Sequence, residues 1–356
     1  MRHFIVGVFF LGIWGMTFLF SEIPFVPAEF EGVAEHEGEK RPVQVSLVPT
    51  FESCGVYVRF EEVDGIAVCT AEYQKKGETS WQKSFPLVTD SSLKIFKGSL
   101  VFLAENEDYD IRIIFLDEQG KKRGVIKSSF KTWSSALSFS KILHVKDLLD
   151  SSGFLNLNDL RSDPGEWTKI VGDGEILKGT TDQDAAVWVK NCSRLVLENL
   201  KIMGGTRYGI HLQNSQDVRV LNCDISGFGR KGVQDISKDG KFYFPDGTYL
   251  NYDPGIFIDQ SLNVVVERCY IHDPRGTANC WKYSHPAGPE AVFVRSLGGT
   301  VIRYNDFIGS DVHRWNDVIE GFENGSPLGG FYRDSDIYGN MLAFANDDCV
   351  ELDGGQ

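Results

Sequence analysis

Two hydrophobic rhythms divide the chain. From Val43 to Trp133 apolar and polar residues alternate in short runs broken by Gly, Asp and Asn: Gly55-Val56-Tyr57-Val58-Arg59-Phe60, Cys69-Thr70-Ala71-Glu72-Tyr73 and Asp110-Ile111-Arg112-Ile113-Ile114-Phe115. Period-two alternation with close turn signals predicts half-buried antiparallel strands, and hence a sandwich over 43–133. From residue 185 the runs shorten and repeat. Ala185-Ala186-Val187-Trp188-Val189-Lys190-Asn191 is followed by Tyr208-Gly209-Ile210-His211-Leu212-Gln213-Asn214, so Ala186 to Gly209 is 23 residues. The same strand returns at Gly255–Ile258, Ala291–Val294, Asp317–Glu320 and Asp348–Glu351.

A second column follows at a fixed offset, opening Asn199-Leu200-Lys201-Ile202, Asn222-Cys223-Asp224-Ile225, Arg268-Cys269-Tyr270-Ile271 and Asn305-Asp306-Phe307-Ile308. A constant repeat of short strands predicts a solenoid over 185–356, each coil burying its apolar side only by stacking on its neighbours. The Asn residues read as turn formers, and Cys192, Cys223 and Cys269 as small interior fillers. Arg303 interrupts an otherwise apolar column. Between the two rhythms, 134–184 reads as linker and cap, with a short helix over Leu143–Leu149 and a first strand within Gly165–Gly172.

Two resemblances follow. Leu103-Ala104-Glu105-Asn106-Glu107-Asp108-Tyr109-Asp110-Ile111-Arg112 resembles the tyrosine corner of fibronectin type III domains, with Tyr109 as the corner, and Ser129-Phe130-Lys131-Thr132 resembles their closing strand. Phe60 stands where that family usually has Trp. The 23-residue repeat with Asn at its turns resembles the right-handed parallel β-helix of the pectate lyase and polygalacturonase superfamily. Leucine-rich repeats share the period, but their Leu-x-x-Leu-x-Leu pattern is absent. The resemblances imply an all-β chain: a fibronectin III-like sandwich, then a right-handed parallel β-helix incomplete at its C-terminal end.

Composition adds limits. Lys+Arg 36 against Asp+Glu 50 gives a net charge of −14, which repels polyanions and argues against nucleic acid as a partner. Met1-Arg2-His3 followed by the apolar run Phe4–Phe20 reads as a signal peptide or membrane anchor over 1–28, and so as a secreted, periplasmic or cell-surface protein with membrane or cell-surface association through this segment. The seven cysteines show no metal-ligand spacing. Cys54 and Cys69 are either a disulfide or two buried thiols. The last coil, ending Leu352-Asp353-Gly354-Gly355-Gln356, has no cap, so the sequence reads as the N-terminal part of a longer protein, monomeric when full length, with an aggregation-prone edge when cut here.

Candidate chemistry gathers near that last coil. If Val187, Ile210, Ile256, Val292, Val318 and Cys349 point inward, then Ala186, Gly209, Gly255, Ala291, Asp317 and Asp348 form an outward row: a floor of small residues ending in two acids. Coils are about 4.8 Å apart, so Asp317 and Asp348, with Asp347 beside them, would raise one another's pKa and divide acid and base roles. Glu320 and Glu351 are a rival pair. The same alternation sends them inward, where they would need partners such as Arg303 unless the strand bulges. Insertions at 226–254, 272–290, 309–316 and 322–334 carry Tyr249, Trp281, His285, His313, Arg314, Trp315, Tyr332 and Arg333, suited to walls of a sugar-binding cleft.

Asn346-Asp347-Asp348-Cys349 resembles the Asp-Asp-Cys motif of polygalacturonases, and Asn316-Asp317 their preceding Asn-x-Asp. That resemblance implies inverting hydrolysis of a polysaccharide without a cofactor. The family's Gly-His-Gly and Arg-x-Lys segments are absent. Three readings therefore stand: a hydrolase; a calcium-dependent polysaccharide lyase drawing its base from Arg295, Arg314, Arg333, Lys241 or His313; and a non-catalytic glycan-binding or structural solenoid. Reducing ends, an ultraviolet product signal and silence in both separate them.

Overall fold

The computed structural model describes residues 28–352, apart from 37, 38, 61–64, 92, 324, 327 and 328. The signal-peptide or anchor expectation falls on residues that lie outside this set, except Ala28. Among the described residues no helix is long and apolar enough to cross a membrane.

Two antiparallel sheets form first. One orders Ala28–His36, Glu39–Pro49, Ser53–Phe60, Ile95–Val101 and Val88–Asp90, and the other orders Gln82–Lys83, Val68–Lys75, Asp108–Leu116 and Lys122–Lys131. The alternating residues Val56, Val58, Phe60, Ala71, Ile111, Ile113 and Phe115 meet in one core, with Phe60 edge-on to Phe96 and Phe115. The Tyr109 hydroxyl accepts the Ala104 N–H at 2.7 Å, the backward bond that makes a tyrosine corner.

Cys54 and Cys69 sit in opposite sheets as free buried thiols. Burial pushes both well above the usual thiol range, Cys69 to about 12. Only Cys280 and Cys349 are exposed among seven free thiols. The expected result of thiol titration is therefore two fast groups in the folded protein and all seven after denaturation.

The solenoid is built from parallel strands on three faces. The first face carries Leu155–Asn158, Ala185–Lys190, Tyr208–Gln213, the start of Ile256–Glu267, Val292–Ser296 and Ile319–Gly321. The second carries Phe139–His144, Trp167–Val171, Ser193–Glu198, Gln216–Leu221, the end of Ile256–Glu267, Val301–Arg303 and Asp336–Tyr338. The third carries Ile176–Leu177, Lys201–Met203, Asp224–Ser226, Tyr270–His272, Asp306–Ile308 and Met341–Ala343. The ladder thus starts inside the segment read as linker and cap. The residues read as a short helix make the end of a strand and a single 3-10 turn, Val145–Asp147.

Turn chemistry explains the Asn column. Asn199, Asn222 and Arg268 have φ of 58°, 53° and 52°, the left-handed region that Asn tolerates best among residues with a side chain. In the next coil Tyr304 (φ 57°) takes that place, and Asn305 stands one position later. There its Nδ2 donates to Asn340 Oδ1 at 2.9 Å, and its Oδ1 accepts the Cys269 N–H at 2.8 Å. Cys192, Cys223 and Cys269 are interior, as read.

Register corrects the proposed floor. Val187, Ile210, Ile256 and Val292 are stacked partners as expected, but Val292 pairs with Ile319, and Ile319 bridges Val350. The fifth and sixth coils therefore sit one residue further on. Cys349 is exposed rather than inward, and Val350 packs on the core. Ala291 and Val292, like Val318 and Ile319, all belong to the core, because the chain turns a corner there and alternation lapses. Outside this face, Trp188, His211, Phe257 and Phe293 stack with ring centroids 5.2, 4.9 and 5.5 Å apart, and Glu320 and Glu351 continue that outer column.

Arg303 keeps its register, between Glu267 and Tyr338 on the second face. It is 2% exposed because the sandwich covers it. Phe51 and Trp133 of the sandwich close on Val265, Val301 and Tyr338 of the solenoid, so the first unit is docked rather than a free spacer.

Candidate functional site

The corner before each first-face strand decides where the acids go. Glu290, Asp317 and Asp348 each stand two positions before a stacked core residue, Val292, Ile319 and Val350. The backbone turns at that place, so these side chains gather at one edge of the solenoid rather than along an open floor.

Asp317 is the fixed member. It is 2% exposed, its Oδ1 accepts the Asp348 N–H at 2.8 Å and its Oδ2 accepts Asn316 Nδ2 at 2.9 Å. Burial, then the charges of Asp347 and Asp348, push its pKa up to about 6 against hydrogen bonds from the Asp348 N–H and the Glu320 carboxyl, which favour the anion. Asp347 is partly buried and Asp348 exposed. Oxygens of Asp317, Asp347 and Asp348 lie within 4.8 Å of one another, which is tighter than the about 6.5–9.5 Å that leaves room for water in an inverting pair. His285 Nε2 approaches Asp347 Oδ2 at 3.2 Å and Trp281 packs edge-on against that imidazole, so the 272–290 insertion does bring an aromatic wall to the acids.

Glu320 lies behind them, buried, with Asn316 Nδ2 at 3.4 Å. Burial and the charges of Asp317 and Glu351 raise it to about 8. It does not meet Arg303, whose carboxylate partners are Glu267 and Glu105. Sequence reasoning missed Glu290, and it named Asn316 only as part of a motif, with no role of its own. Glu290 is fully buried, and neither of its oxygens has a hydrogen-bond partner among the described residues; Asn316 Oδ1 is orphaned as well. The pattern Glu290-Ala291-Val292, Asp317-Val318-Ile319, Asp348-Cys349-Val350 would have found Glu290.

Burial, reinforced by Glu320, Asp253 and Asp317, holds Glu290 well above the usual carboxylate range. A carboxyl whose folded pKa is raised contributes stability that is complete below its unfolded pKa and is lost as pH rises toward the folded value. Gln keeps the shape and cannot ionise. We therefore expect the wild-type Tm to fall more between pH 5 and pH 8 than that of Glu290→Gln, with the two nearest together at pH 5.

The other predicted site residues scatter. Trp315 is 0% exposed and lies in the solenoid core, stacked on Phe228 at 6.4 Å and 9°, so it contributes packing and no wall. His313 lines a cavity of about 280 Å³ with Arg230, Lys231, Arg275 and Thr277. Arg314 is exposed and tied to Asp311, and Tyr249 lies out on its loop against Tyr243. Tyr332, Arg333 and Glu351 line a separate cavity of about 360 Å³ against the sandwich. Of the residues that could hold a metal ion, one group of three emerges among those described, Asp317, Asp347 and Asp348.

Residues 175–311 match a family model described as a right handed beta helix region, so the solenoid is a right-handed parallel β-helix. Solved structures similar to the chain include pectate lyase PelI of Erwinia chrysanthemi in complex with tetragalacturonic acid (10% identity, 86% of this chain and 77% of that one, TM-score 0.26). A family 28 exopolygalacturonase of Yersinia enterocolitica is also similar (10%, 87% and 69%, 0.23). A computationally redesigned β-sandwich protein matches 26% of this chain and 93% of its own at 19% identity and TM-score 0.22. No curated protein sequence matches.

Proposed function

We propose that this β-helix protein is carbohydrate-active and hydrolyses glycosidic bonds of a polysaccharide at Asp347 and Asp348, with Asp317 beneath them. The observation that carries the reading is the convergence of three carboxylates, one of them clamped by two hydrogen bonds. Clustered like charges cannot all ionise together, so one carboxyl retains a proton for the leaving oxygen while another stays ionised; carboxylates this close suit direct attack on the anomeric carbon, with water then releasing the glycosyl ester, better than a water held between the two. Asp347, whose pKa burial raises, suits the proton donor; exposed Asp348 suits the attacking carboxylate. Asp317 steers Asp348 through the backbone bond. No cofactor is required. The apolar N-terminal run supports action outside the cytoplasm, and the tyrosine-corner bond supports a fibronectin III-like reading of the sandwich.

A second reading has one specific observation in its favour: the same three acids fit around a single divalent cation. Calcium held there would neutralise a uronate carboxylate for a lyase. Against it, Arg295 is tied to Asp259, Arg314 to Asp311, and Arg333 faces the sandwich cavity. The test follows reducing ends and absorbance near 235 nm together on a panel of plant and algal polysaccharides, with and without EDTA. Reducing ends without the ultraviolet rise, indifferent to EDTA, support hydrolysis. A parallel rise lost to EDTA overturns it in favour of the lyase, and silence in both channels favours binding.

A further inference from the structure

We propose that the sandwich is held to the β-helix by a clasp with one fixed end and one end that deprotonation of Asp334 and Asp336 releases. The fixed end is apolar and charge-paired: Phe51, Trp133, Val265 and Val301, with Arg303 bonded to Glu267 at 2.7 Å and Ser135 at 2.7 Å. The guanidinium carbon stands 3.6 Å from the Phe51 ring centroid.

The other end consists of hydroxyls of the sandwich on carboxyls of the last second-face strand and its approach. Tyr57 donates to Asp334 Oδ1 at 2.9 Å, Ser53 donates to Asp336 Oδ1 at 2.9 Å, and Thr50 donates to Asp336. Gly55 makes room: a Cβ there would fall 2.2 Å from Asp334 Oδ1. Asp334 Oδ2 is buried without a partner. The 360 Å³ cavity lies alongside, bordered also by Ser99, Gly321 and Glu351.

Groups of both signs face these two acids. From the sandwich come Glu52, the Cys54 thiol and the Tyr57 phenol; from the β-helix come Arg333, Tyr332, Tyr304, Tyr338 and Glu351. Arg333 is the cation beside Asp334, and it does not outweigh burial, which raises Asp334 to about 6 and raises Asp336 as well. Once the end opens, water returns and both carboxyls recover ordinary values. Closing therefore takes up protons: the clasp is tightest below about pH 4 and loosens as pH rises through the closed-state pKa. What loosens is the strand that hands the chain on to Asp347 and Asp348.

Amide hydrogen exchange on the whole protein tests this independently of any enzymatic activity, so its failure and the failure of the hydrolase reading are distinguishable. Protection factors, in which the intrinsic pH dependence cancels, are read at 334–338, with 256–258 as the internal control. With Asp334 raised to about 6 in the closed state, we expect protection at 334–338 to fall up to about 100-fold between pH 4 and pH 7.5, with the control unchanged. The double variant Asp334→Asn with Asp336→Asn should stay flat. Gly55→Ala, which adds no charge, should lower protection at 334–338 already at pH 4. Wild type without a pH dependence beyond the control, or a double variant that keeps the wild-type dependence, overturns the proposal. If the double variant does not fold, Gly55→Ala indistinguishable from wild type overturns it instead.

Discussion

Asp348→Asn should lower polysaccharide cleavage by at least about 10²–10⁴-fold, the size of a lost acid or base contribution, since it removes one member of the reacting carboxylate pair, with little change in Tm. Asp348 is exposed, so its substitution disturbs no packing, and a surface change of this kind stays within about 0.5 kcal/mol. Its backbone N–H, which holds Asp317, is untouched. Asp347→Asn should cost a similar factor and remove the basic limb of the pH profile, since Asp347 is the proposed donor. Asp317→Asn differs: its amide would face Asn316 Nδ2 unless Asn316 turns, and the orphaned Asn316 Oδ1 favours that turn. A variant of Asp348 that retains most of its activity on the panel's best substrate would move catalysis to Glu320 and Glu351, or out of this corner altogether.

Much of the fold was legible because the β-helix repeats its physics. Every coil needs an apolar residue at Val187, Ile210, Ile256 and Val292, and every turn needs a residue that accepts positive φ, so Asn199 and Asn222 mark the period as plainly as the strands do. Alternation in the sandwich likewise separated Val56, Val58 and Phe60 from Tyr57 and Arg59. The site was legible in content and misplaced in register. Asp317 and Asp348 were aligned with the small residues because each begins a strand-like run, whereas the stacking of Ile319 on Val292 puts them one position earlier, beside Glu290. Pattern alone cannot see a corner at which two successive residues both point inward.

Loops and docking were beyond reach for a different reason. Trp315 looked like a cleft aromatic because it lies in an insertion, yet an insertion that folds back can fill the interior, and Trp315 does so against Phe228. Tyr332 and Arg333 follow the same loop logic, but the sandwich occupies the space they face. Nothing local in 43–133 announces that Phe51, Ser53 and Tyr57 meet residues more than two hundred positions away. Arg303 was the one sign. An arginine in an apolar column is the mark of a face that another element covers.

That arginine carries the largest expected effect on stability. Arg303→Met removes a guanidinium that is 2% exposed and bonded to Glu267, itself 3% exposed, while the methionine fills much of the space over Phe51. Breaking one partner of a buried pair typically costs about 3–5 kcal/mol, because the remaining charge is buried and uncompensated. Among the described residues Glu267 keeps its ion pair with Arg268, whose side chain is 61% exposed and screened by solvent, and the more distant charge of Arg219. We therefore expect a large drop in the urea midpoint of Arg303→Met, accompanied by loss of protection in both Ser53–Phe60 and Val301–Arg303, since the residue ties the two units together. Adding Glu267→Gln removes the stranded charge and should restore a substantial part of the loss. If the double substitution is no more stable than Arg303→Met alone, the cost lies in the contacts to Ser135, Tyr338 and Phe51 rather than in the buried charge. The docking of the sandwich would then rest on shape and hydrogen bonding at that face.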